Sequence, residues 1–141
     1  MEYIKFNGLP DEIAQDAYDK GHFMEAIQHL HGFIENQASS YLMLFGCVYY
    51  DSKQEDVWDL SDELSFVNVL KVLRILNQIN EEEYLQFKKF NSLRNKIIHQ
   101  YYKEPYEKIY LGIPKREYDE VFQETIKQIY FFTEKSESIP I

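Results

Sequence analysis

Apolar positions recur every three or four residues along most of this chain, the spacing that one face of an α-helix imposes. The clearest run is Phe23, Ile27, Leu30, Ile34, Ala38, Tyr41, Phe45 and Val48, which predicts a long helix buried along one side. Its apolar end, Tyr41 to Tyr50, is too short to span a bilayer and reads as a buried helix. Gly32 falls off the stripe, so it weakens the helix without interrupting the packing face. Upstream, Pro10 suits the first turn of an earlier helix, with Asp11 and Glu12 favouring its positive end and Gly21 near its stop. A polar loop, Asp51 to Asp56, leads to a third helix over about Leu60 to Ile79. That segment is apolar nearly all round except for Asn68, Lys71, Arg74 and Gln78, the pattern of a central helix.

Asn80 with Glu83 three residues on makes a capping-box start for a fourth helix, which Pro105 should end. Beyond Gly112 and Pro114, a fifth helix carries Tyr118, Val121, Phe122, Thr125, Ile129 and Phe132 on one face. No segment has a convincing strand pattern. The prediction is an all-α antiparallel bundle of about five helices in a single domain, residues 1–141. Residues 1–9 form a lead segment, and residues 136–141 a tail expected to fray.

Composition agrees with that picture. Hydrophobic residues make up 45% of the chain, and 12 Tyr and 10 Phe supply bulky packing groups, so the sequence is not of a disordered type. Cys47 is the single cysteine, which excludes an internal disulfide and a thiolate zinc cluster. The start lacks the pattern of a secretory leader, so a cytoplasmic location is expected, with no membrane partner. The net charge of −9 argues at first against nucleic acid. The charge is unevenly spread, however: residues 1–69 carry 13 acids and 3 bases, residues 70–141 carry 11 acids and 12 bases. Lys88, Lys89, Arg94, Lys96 and Lys103 follow one another with no acid between. That run is either a solvated helix face or a local strip that attracts phosphate.

On the fourth helix, Phe87, Phe90, Leu93, Ile97, Ile98 and Tyr101 share an arc roughly 140° wide, and Arg94 lies in its middle. Asn95, Lys88 and His99 lie together on an adjacent polar side. A guanidinium aimed into an apolar seam costs several kcal/mol unless it is paired or reaches a wet cleft. Either a core-facing carboxylate pairs with Arg94, or the arc is a subunit interface with a solvated groove that Arg94 lines. Asn95 and His99, at i and i+4, can touch, but Arg94 and His99 point about 140° apart. Convergence needs the arginine's reach, a deformed helix, or a second protomer, and a twofold axis along this helix favours the last. The fitting chemistry is cleavage of RNA by its own 2′-hydroxyl. Imidazole serves as base and acid, arginine holds the phosphate, and neither metal nor cofactor is required.

The segment Arg94-Asn95-x-x-x-His99, near the end of a bundle helix, resembles the HEPN superfamily. Its extension to Tyr101 resembles the Arg-x4-His-x-Tyr form of the HepT-like toxins. The resemblance covers about Asn80 to Tyr102. It implies a homodimeric, metal-independent endoribonuclease with Arg94 and His99 in a composite site, supported by Asn95. It further implies RNA as substrate, with Lys88, Lys96 and Tyr102 as candidate contacts, and a minimal nucleotidyltransferase antitoxin as possible partner. Tyr101 would then be the hydroxyl adenylylated to silence the enzyme. The stretch from Phe66 through His99 also resembles MltR-like regulators, in which such a fold serves binding, so a non-catalytic module is the alternative.

Other residues read more plainly. His22, His29 and His31 complete no metal set at a recognisable spacing and are expected to face solvent. Trp58, the only tryptophan, is expected to anchor the loop to the bundle, and Cys47 to fill the core. The tyrosines near 101–110 are expected to pack against neighbouring helices, with base stacking as the alternative.

Overall fold

Leu9 is extended and Pro10 opens the first helix, α1 (Pro10–Asp19), in a computed structural model that describes residues 1–103 and 112–140, with side chains over 1–99 and 112–140. Gly21 takes φ +78°, which lets its N–H reach Tyr18 and that of His22 reach Ala17. This left-handed cap satisfies the last carbonyls of α1 and turns the chain into α2 (Phe23–Tyr49). Along the stripe of α2, Ile27, Leu30, Ile34, Ala38, Tyr41 and Phe45 are buried, whereas at its ends Phe23 is half-buried and Val48 exposed.

The helix expected over Leu60 to Ile79 is divided. α3 (Gln54–Glu63) takes in the second half of the expected polar loop, and Ser65 then caps α4 (Phe66–Ile75) by accepting from the Asn68 N–H. The hydroxyl offers the backbone a partner that continued helix would not, which is why serine starts helices better than it extends them. α4 ends early because Asn77 adopts φ +59°, with its N–H on Arg74 and that of Gln78 on Leu73. Asparagine tolerates this conformation better than other L-residues. Asn80 and Glu83 then exchange backbone bonds, each 2.8 Å long, and open α5 (Glu81–Lys103). The stop expected at Pro105 lies outside the described residues.

The expected fifth helix is likewise two, α6 (Lys115–Ile126) and α7 (Phe131–Glu137). Between them the N–H groups of Gln128 and Ile129 turn back only three residues, to Thr125 and Ile126. The tightened turn leaves the stripe unbroken: Tyr118, Val121, Phe122, Thr125, Ile129 and Phe132 are all buried. The tail expected to fray from Ser136 instead completes α7 and buries Ile139. Residues 1–9 have no regular structure and are exposed.

Seven helices, with no strand among the described residues, thus build an all-α bundle. Its centre is α2, which packs against α1, α3, α4, α5 and α7. α4, expected at the centre, meets chiefly α2 and α5 and buries one face, Phe66, Val69, Leu70 and Leu73, while Ile75 is exposed. Aromatic rings fill the space between: Phe87 lies 5.0 Å from Phe132 and 6.4 Å from Phe66. No helix among the described residues is long and apolar enough to cross a membrane.

Asn80→Ala removes one half of the reciprocal cap and is expected to lower the unfolding free energy by about 1 kcal/mol. Phe90→Ala, in the fully buried seam, is expected to remove about 3–5 kcal/mol. Urea unfolding followed by helical circular dichroism measures both.

Candidate active site

Leu30 and Ile34 of α2 and Phe90 and Leu93 of α5 are buried, so the surfaces these two helices bring together are largely dry. Two polar groups interrupt them, His31 at 2% exposure and Asn91 at 8%. The neutral imidazole donates from Nε2 to Asn91 Oδ1 over 2.8 Å, with the rings of Phe66 and Phe90 at 5.3 and 5.5 Å. Burial holds the His31 pKa below its ordinary value of 6.5, and the positive charge of Arg94 acts in the same direction. The Asn91 bond and Glu35 oppose that shift without cancelling it.

Arg94 stands one turn further along α5, half-buried at the rim of the seam. Its Nη1 donates to Asn95 Oδ1 at 2.8 Å and its Nε, more weakly, to Gln28 Oε1 at 3.4 Å. No carboxylate pairs with it among the described residues. The guanidinium charge is therefore balanced by no acid among the described residues, and it has N–H donors to spare from its five. Gln28 of α2 and Asn95 of α5 thus hold Arg94 beside the buried His31–Asn91 pair, and the spare guanidinium donors can grip an anion at the rim.

His99 is exposed further along α5, and within one chain it is not brought to Arg94. Asn95 turns its oxygen to Arg94 and not to His99. Lys88 is exposed, its Nζ 5.8 Å from the centre of the Tyr84 ring. Lys96 meets Glu117 of α6 at 3.4 Å, so a neighbouring helix lends an acid to the strip that has none in sequence. Tyr101 and Tyr102 belong to α5, but the roles expected of their side chains fall outside the described residues.

Gln28, His31 and Asn91 are the residues that sequence reasoning passed over. His31, expected to face solvent, sits only about 20° outside the apolar stripe at Ala38, and Asn91 about 20° beyond Ile98. Two polar residues at the margins of two facing stripes were the available signal. Of the other early histidines, His22 is exposed beside Glu25, whereas His29 is half-buried with its Nε2 unpartnered. Trp58, expected to anchor a loop, lies exposed on α3. No three His, Cys, Asp or Glu side chains converge as metal ligands would among the described residues. Comparison of the chain with protein-family models, curated proteins and solved structures finds no match.

The depressed His31 pKa sets a pH dependence. The unfolded imidazole protonates near 6.5 while the folded one stays neutral, so the unfolded chain binds more protons on the acid side. The stability that this residue contributes is complete above about pH 6.5 and is lost as the pH falls towards the lower folded value. His31→Gln keeps an amide donor for Asn91 but cannot titrate. It is expected to flatten the fall in melting temperature between about pH 7 and pH 5, measured by parallel thermal melts of both proteins.

Proposed function

We propose that this protein is a metal-independent endoribonuclease of HEPN type that acts as a homodimer. The observation that carries the reading is Arg94, a half-buried guanidinium at a helix seam with only neutral oxygens for partners among the described residues. Arginine's planar fork suits a phosphodiester, and Asn95 holds that fork in place. The Arg94-Asn95-x-x-x-His99 spacing supplies the proton-transfer group. An imidazole takes the proton of the 2′-hydroxyl, whose oxygen attacks phosphorus while the bond to O5′ breaks. An imidazolium returns a proton to that leaving oxygen. The products are a 2′,3′-cyclic phosphate and a 5′-hydroxyl. Because Arg94 and His99 diverge by about 140° on one helix, a second copy completes the cleft. Lys88 extends the phosphate-attracting surface, and Lys96 joins it by exchanging Glu117 for RNA. In the toxin subgroup, a nucleotidyltransferase antitoxin silences the enzyme at Tyr101.

A non-catalytic binding module is the second reading, favoured by the net charge of −9 and by the acid that covers Lys96.

Mixed RNA incubated in EDTA with wild type is expected to yield cyclic-phosphate ends. Arg94→Ala and His99→Ala are each expected to lose about 10²-fold or more in rate while retaining the wild-type association state by light scattering. A folded wild-type dimer that cleaves nothing, or three proteins that cleave equally, supports the binding module.

A further inference from the structure

Further along α2, where it meets α3, lies a second concave surface, and its use is independent of the ribonuclease reading. A groove of about 360 Å³ runs between α2 and α3. Its α2 wall is cut low by Gly32, Ser39 and Ser40, and a Cβ on Gly32 would meet nothing within 4 Å. A glycine inside a 27-residue helix costs about 1 kcal/mol relative to alanine, and no packing among the described residues calls for it. The opposite wall presents Trp58 and Asp62, and Glu35 completes the lining from α2.

Three features of these walls point to one kind of occupant. Trp58 is 53% exposed although it is a large apolar group, and α3 buries no residue at all. Glu35 and Asp62 have no ion-pair partner among the described residues. The helix itself carries Glu55, Asp56, Asp59, Asp62 and Glu63 and no base. Exposed indole beside unpaired carboxylates suits a guanidinium or ammonium group with an aliphatic stem, through cation–π and ionic contact together. We propose that the α2–α3 groove is the docking site for a basic, apolar-studded segment of a partner protein, its cationic side chains held between Trp58, Glu35 and Asp62.

Because Trp58 is the only tryptophan, its emission reports on the groove alone. The probe is a short synthetic peptide alternating arginine and leucine, titrated into the full chain. A saturable change in Trp58 emission is expected, weakened at least about tenfold in affinity by E35Q/D62N. Ser39→Leu, which fills the groove without touching its charge, is expected to block binding as well. D16N/D19N removes the same charge from α1 and is expected to bind as wild type. Circular dichroism confirms that each variant is folded. An unchanged emission in wild type, or an equal loss in the α1 variant, overturns the proposal, the latter by showing attraction to net charge alone. Spermine giving the same response at the same concentration also overturns it, since charge without apolar groups would then suffice.

Discussion

Helix α2 is long because five other helices keep its apolar stripe dry. At 27 residues it spans about 40 Å, and its sequence would be marginally helical in water by itself. Burial of each large side chain along Ile27, Leu30, Ile34, Tyr41 and Phe45 contributes about 1.5–3 kcal/mol relative to exposure. The helices that supply the covering side chains, α1, α3, α4, α5 and α7, are held in place by the same contacts. The local breaks at Ser65, Asn77 and Gln128 follow from this arrangement. They let shorter segments change direction and lie against one spine.

The His31–Asn91 bond places a directional constraint inside that otherwise non-directional packing. Hydrophobic burial has no preferred direction, whereas a buried donor and acceptor tolerate little offset before both lose their partners. Their 2.8 Å contact registers α5 against α2, and that register sets Gln28 opposite Arg94. The orientation of the candidate catalytic arginine thus depends on a neutral hydrogen bond one turn away. Removing one partner alone leaves the other buried and unsatisfied.

The surfaces where α2 meets α5 and where it meets α3 differ in the chemistry they offer. Towards α5, Arg94 and Lys88 present cationic groups with no carboxylate partner among the described residues, the condition for holding a phosphodiester. Towards α3, Glu35, Asp62 and Trp58 present the opposite sign with an aromatic face. The acidic first half of the chain, 13 acids against 3 bases over residues 1–69, therefore need not repel RNA from the whole surface. Screening over about 8–10 Å at ordinary salt lets one helix carry two surfaces of different charge.

Periodicity by itself determined the helical class, the stripe of α2, the shared face of α6 and α7 and the start of α5, because those depend on spacing within one segment. The stop of α1 at Gly21 was legible for the same local reason. Tertiary structure alone decided that α2 and not α4 is the spine, since an all-round apolar pattern does not say which neighbours cover it. It also decided the pairing of His31 with Asn91, the neutral partners of Arg94 and the acid that α6 lends to Lys96. Each of these joins residues from two helices, and the free energy that selects them exists only once both helices have left water together.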